Sequence, residues 1–282
     1  MKNLLKRCLA GLLAVSATLT LSACGSSNEA DDADGKTVVK VGVVGEYNDA
    51  FFTIGDLLAD QGIEIELVKY ADYAMPNRAL ADGDIDLNAF QHKAFLANEV
   101  ETMGYELTAI ADTLIAPLAI FNNKDKISSI EEIQDGDIIA IPSDLTNGGR
   151  ALKLLEAAGL ITCDPAKGQV PTKADITAYN VKIELMEADS STLANLLPDC
   201  TAAIINGGNA FTAGLNPLED SIFLEDVNPE TNPAVADLVN VLVCRTEDQD
   251  NPVYQAIAQA YHTEEVRATI DNKYQGAFIC AW

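Results

Sequence analysis

"DIIAIPSDLTNGGRALKLLEAAG", residues 137–159, decides the fold. Its first third is an apolar, isoleucine-rich run closed by Pro142, and its last half carries apolar residues at helical spacing. A buried strand that feeds a helix through a short polar turn is the repeating unit of an α/β sheet. The turn also sets a problem. Arg150 stands among the first residues of the helix, where free N–H groups already make the chain end positive. The missing negative partner is read as the anion of a ligand, gripped by those N–H groups and by the planar guanidinium. The alternative is an ion pair between Arg150 and one of the chain's many acidic side chains.

The same alternation extends outward on both sides. Towards the N-terminus, "KTVVKVGVV" reads as a strand, "FFTIGDLLADQG" as a helix, "IEIELVKY" as a strand, "NRALADG" as a short helix, "IDLNAF" as extended, and "KAFLANEVETMG" as a helix stopped by Gly104. This predicts an α/β lobe with a mostly parallel sheet. "LTAIADTLIAPLAIF", interrupted by Pro117, marks the crossing to a second lobe, which a capping box at Ser128 to Glu131 opens. "VKIELMEA", "STLANLLPD" and "TAAIIN" continue strand, helix, strand. "LVNVLVCRTED" then returns to the first lobe, closed by two helices, the last capped by Thr263. The expected division is 37–113 with 234–282 for lobe 1 and 114–233 for lobe 2, with a ligand cleft between them.

Ahead of the folded part, Lys2, Lys6 and Arg7 precede an apolar run from Cys8 to Leu21 that is too short for an ordinary membrane span. Residues 1–23 read as an export signal. Its ending, Leu21-Ser22-Ala23-Cys24, resembles the lipobox of bacterial lipoproteins, which implies acylation at Cys24 and a lipid-anchored, extracytoplasmic protein. Residues 24–36 are small, polar and acidic, as a flexible tether requires. The formal net charge is −25 over 282 residues. Such a surface repels nucleic acid and anionic headgroups, so neither is an expected partner. Four cysteines remain in the folded part. Two bridges, Cys163–Cys200 and Cys244–Cys280, are the expectation, with four buried thiols as the alternative.

Polar side chains gather at predicted strand ends, where open α/β sheets hold ligands. Asp84, Asp86, Asn88, Gln91 and His92 form one group, with Tyr73, Phe90 and Phe95 as the walls of an apolar slot. Asn206 and Asn240 lie on strand-like runs, and a carboxamide suits either end of a zwitterion. No metal or cofactor site is expected, since the second histidine, His262, sits near the far end of the chain.

"YADYAMPNRALADGDIDLNAFQH", "IAIPSDLTNGGRALKLLEAAGLI", "AAIIN" followed by "AGLNP", and "LVNVLVCRTED" together resemble the NlpA/MetQ family of lipoproteins, methionine-binding proteins of ABC importers. The resemblance implies a periplasmic-binding-protein fold that closes on an amino acid, and a permease with its ATPase as partners. By position, Asn147 and Arg150 would hold the carboxylate, Asn206 and Asn240 would bind the amino-acid head, and Tyr73, Phe90 and His92 would line the side-chain pocket. The ligand implied is L-methionine, with D-methionine, a methionyl dipeptide, another apolar amino acid or a small organic anion as alternatives. Three departures from the family pattern stand out: Ala89 in place of an aromatic, which would widen the pocket; "GEYNDAFFTIGD" after the first strand; and "INGGNAF". A hydrolase using His92 as base, with Asp84 or Asp86 orienting it, is the competing class. A surface adhesin without a small ligand is the third.

Overall fold

The computed structural model describes residues 36–282, so the signal segment, Cys24 and all but the end of the tether lie outside the described residues. The first lobe opens with β1 (Thr37–Val44), α1 (Asp49–Leu58), β2 (Ile63–Tyr70), α2 (Pro76–Asp82), β3 (Leu87–Asn88), α3 (Lys93–Met103), β4 (Leu107–Asp112) and β5 (Leu114–Ile115). After Pro117 the chain builds β6 (Leu118–Asn122), β7 (Ile138–Pro142), α4 (Leu145–Ala157), β8 (Ile161–Cys163), β9 (Ile176–Tyr179) and β10 (Glu184–Ala188). The second lobe ends with α5 (Leu193–Leu196), β11 (Ala202–Asn206), α6 (Gly207–Thr212) and β12 (Ser221–Leu224). The return carries α7 (Val235–Leu238), β13 (Val241–Arg245), α8 (Pro252–Tyr261), α9 (Glu264–Tyr274) and β14 (Ile279–Cys280).

The two lobes hold sheets ordered β2-β1-β3-β13-β4 and β10-β7-β11-β6-β12. Strands buried on both faces explain both. In β11, Ala202 and Ile204 face the cluster formed with α4, while Ala203 and Ile205 face the opposite cluster around Leu193 and Ala210. In β13, Leu242 and Cys244 face α1, α8 and α9, whereas Val241 and Val243 face Leu80 and Leu96. Each such valine, leucine or isoleucine contributes about 1.5–3 kcal/mol on burial.

Both sheets are mostly parallel, as the sequence reading expects, with one reversed strand in each. β1, β2 and β3 are parallel, but β13 runs antiparallel to β3 and β4. Likewise β10, β7 and β11 are parallel, and β6 is antiparallel to β11 and β12. The reason is connectivity. The C-terminal ends of the parallel strands face the cleft, and a strand arriving from the other lobe starts at the cleft and must run the opposite way.

Helix ends follow the sequence signals at Gly104, which is left-handed, and at Thr263, which accepts from the Val266 N–H. Ser128 departs from them. Its N–H and hydroxyl both donate to Glu132, not Glu131, and only a short 3-10 turn follows.

The two expected disulfides are not formed, and all four cysteines are free. Cys163 packs on the α4 face of the second sheet and Cys200 on the opposite face, so the sheet itself separates them. Cys244 pairs across from Thr108 of β4 and Cys280 across from Leu114 of β5, six residues apart along an extended stretch and beyond disulfide reach.

Candidate ligand-binding site

Between the lobes lies a narrow cavity in which the centre of a water-sized sphere has only about 20 Å³ to move, so its walls are drawn together in this arrangement. The first lobe supplies Tyr47, Tyr73, Phe90, Gln91, His92 and Phe95; the second supplies Asn147, Arg150, Asn206 and Gly208; Ala116 and Asn240 come from the crossings. All seven ligand residues expected from the sequence therefore meet in one place.

Its polar wall has a fixed direction. Asp144 caps α4 by accepting from the Asn147 N–H at 2.9 Å. The Asp144 carboxylate also accepts from Asn147 Nδ2, at 3.1 Å to each oxygen. A carboxylate only accepts, so the amide nitrogen of Asn147 must face it and Oδ1 must face the other way. That Oδ1 accepts from Asn206 Nδ2 at 2.8 Å. The Asn206 amide is thereby oriented in turn, and its own Oδ1 is left buried with no partner among the described residues. An unmatched buried acceptor costs about 1–3 kcal/mol, so such an atom at a cavity wall marks a donor that arrives with a ligand.

His92 is fixed by the same logic. Its Nδ1 accepts from the Phe95 N–H at 3.1 Å, capping α3, and its Nε2 lies 3.2 Å from Asn147 Oδ1. The ring is therefore the neutral Nε2–H tautomer and donates across the cleft. Burial, with Arg150 close by, lowers its pKa to about 3. With one nitrogen protonated and the other engaged, it has no lone pair for base catalysis or a metal. Among the described residues no cluster of metal-ligating side chains occurs.

Arg150 answers the opening problem differently from the expectation. Its negative partner is Glu225: Nε donates at 3.0 Å to Oε1 and Nη2 at 2.5 Å to Oε2. Both side chains are buried, 6% and 10% exposed. Nη2 also donates to the Ala116 carbonyl at 3.3 Å, while Nη1 lies 3.5 Å from Asn147 Oδ1. One edge of the fork is thus neutralised within the protein, and the Nη1 end remains for an anion at the cavity.

The apolar wall is a ring cluster. Tyr73 lies 5.9 Å from Phe90 and 6.1 Å from Phe95, and Phe90 meets Phe95 edge-on at 5.9 Å. Burial pushes the phenols of Tyr73 and Tyr47 up, the latter to about 12. Both are neutral walls.

Other expected residues serve as support or lie elsewhere. Gln91 and Asn88 form a buried amide network with Asn77, with contacts of 2.6–3.0 Å, that holds the turn before α3. Asp86 accepts from the Lys40 N–H and the Tyr254 hydroxyl, and Asp84 is exposed outside the cavity. Neither orients His92. Ala89 does not line the cavity but packs against the first-lobe core, so it does not widen the pocket. Tyr47, Gly208, Glu225 and Asn77 escaped the sequence reading as site residues. The first two lie in the segments where the chain departs from the family pattern.

Comparison with known proteins adds three kinds of similarity. The model of the NlpA lipoprotein family matches residues 39–282. The D-methionine-binding lipoprotein MetQ of Yersinia pestis is 34% identical over 278 residues, covering 97% of each chain. Among solved structures, a nutrient binding protein from Burkholderia cenocepacia bound to methionine superposes with TM-score 0.80 at 29% identity, covering 86% of this chain and 100% of the other. The substrate binding protein of a methionine transporter from Streptococcus pneumoniae gives TM-score 0.80 at 32% identity, covering 87% and 96%.

Proposed function

Because the chain belongs to the NlpA lipoprotein family, we propose that it captures methionine in the cleft between its lobes and delivers it to the permease of an ABC importer. It works by binding, with no covalent step. The observation that carries this reading is the oriented, unpartnered Oδ1 of Asn206 in a cavity that also offers the Nη1 end of Arg150 and a wall of rings. A zwitterionic amino acid satisfies each of these. Its carboxylate takes Nη1 of Arg150 without the expected help of Asn147, whose Nδ2 is held by Asp144 and whose Oδ1 only accepts, and its ammonium donates to Asn206 Oδ1 and the Asn240 amide. A thioether then lies against Tyr73, Phe90 and His92, a favourable contact for sulfur on aromatic edges. Acylation at Cys24 would hold the protein at the outer face of the membrane, with residues 25–36 as its tether. Residues 37–113 with 234–282, and 114–233, would move as the two closing bodies.

The test is thermal unfolding of protein stripped of ligand by denaturation and refolding, against a panel of amino acids. Methionine at about 1,000 times its Kd should stabilise the fold by about 4 kcal/mol. A midpoint shift with a different amino acid would keep the transport role and move the substrate. No shift with any amino acid would overturn the proposal.

A further inference from the structure

Two of the segments that depart from the family pattern touch one another. Tyr47, in the loop after β1, lies over Gly208, the second residue of α6. A Cβ placed on Gly208 would stand 2.2 Å from Tyr47 Cε1, 2.5 Å from Cζ and 2.7 Å from the hydroxyl oxygen. No side chain fits there while the ring is in place. The ring cannot simply retreat, because its centroid lies 5.3 Å from that of Phe278, which is itself buried. The loop is tied down as well: the Glu46 N–H donates to Thr212 Oγ1 at 3.2 Å, and Asn48 Nδ2 donates to the Gly45 carbonyl at 2.8 Å. Glycine at 208 is thus the condition for an aromatic ring at 47.

Gly208 follows Asn206 by two positions in the turn from β11 into α6, and all three residues line the same cavity. Tyr47 therefore walls the cavity at the turn from β11 into α6, the turn that carries Asn206. We infer that Tyr47, seated on Gly208, is a specificity-determining residue that admits a free amino acid and excludes a peptide extended at its amino end. This rests on the proposed function, which sets the ligand's ammonium at Asn206. A residue attached to that nitrogen would have to occupy the volume of the Tyr47 ring, and would also replace an ammonium by an amide with a single N–H. Extension at the carboxyl end meets Arg150 instead and does not involve Tyr47.

Three probes separate these ends in calorimetric titrations of the full chain: L-methionine, glycyl-L-methionine and L-methionyl-glycine. The wild-type protein should bind glycyl-L-methionine at least about 100-fold more weakly than L-methionine, and Tyr47→Ala should narrow that gap by about tenfold or more. The gap for L-methionyl-glycine should stay as it was. Tyr47→Phe should leave both gaps in place, since the ring and not the hydroxyl fills the space. Gly208→Ala should weaken L-methionine by about tenfold with Tyr47 present and have little effect in the Tyr47→Ala background, the non-additivity expected of a steric pair. If Tyr47→Ala does not refold, Tyr47→Leu reads the same gap. An unchanged gap, or equal narrowing for both dipeptides, overturns the inference while leaving the proposed function intact. A wild-type protein that binds no amino acid removes both.

Discussion

Among the described residues, Asn206 carries the one buried side-chain oxygen without a partner, and its direction is inherited from a charge two amides away. Asp144 sets Asn147, and Asn147 sets Asn206. Replacing Asn206 by Leu removes the unmatched acceptor along with one hydrogen bond, and Asn147 Oδ1 keeps His92 as a donor. The two changes offset, so the unliganded protein should keep its stability within about 1 kcal/mol. Affinity for methionine should fall by about 10- to 100-fold, because the bond lost is one to an ammonium. Denaturant titration and calorimetry check the two halves. A large loss of unliganded stability would mean that the Oδ1 is already satisfied. Much of this wall was legible in the sequence, since an amide at the end of an apolar run needs a partner. The Arg150–Glu225 pair was not, because Glu225 lies 75 positions away and nothing local distinguishes it from the other acidic residues.

At the scale of an element, α3 shows how a cap becomes part of a site. The usual cap residues are Ser, Thr, Asp and Asn; here the His92 ring does the work through Nδ1, which leaves Nε2–H to reach the second lobe. The folded pKa of about 3 lies below the ordinary 6.5. Between those values the unfolded chain holds a proton that the folded chain does not. Stability is therefore complete above pH 6.5 and falls as pH drops towards 3, by at most about 1.4 kcal/mol per unit. His92→Asn keeps a capping side chain without the titration. Urea titrations across that window should show the wild type losing stability more steeply than the variant, and parallel slopes would refute the neutral, buried ring. Elements were read correctly where two-sided burial or a glycine stop fixes them, as in β1, α1 and α3. The cysteine pairing failed because sequence spacing does not say which face of a sheet a residue occupies. Cys163 and Cys200 are both buried in the second lobe, yet a layer of β6, β7 and β11 lies between them.

Across the whole molecule, the lobes meet through polar contacts that a ligand must disturb. His92 of the first lobe donates to Asn147 of the second, the Glu46 N–H donates to Thr212 Oγ1, and Tyr47 lies over Gly208. The side chains that line the cavity between them are largely buried, so this is the closed arrangement, and a ligand reaches the cavity only when the lobes part. A ligand that contacts both lobes holds them together in proportion to its preference for the closed form. Glu46→Cys with Thr212→Cys sets one thiol on each lobe beside this peripheral contact, so that an oxidised bridge ties the lobes together. Of the native thiols among the described residues, Cys163, Cys200 and Cys244 are buried and Cys280 is half-buried. Oxidised after methionine is bound, the double variant should release it at least about 100-fold more slowly than the reduced protein. Oxidised first, it should fail to take methionine up, and reductant should restore both uptake and release. Free exchange in the oxidised protein would show that methionine reaches the cavity without separation of the lobes.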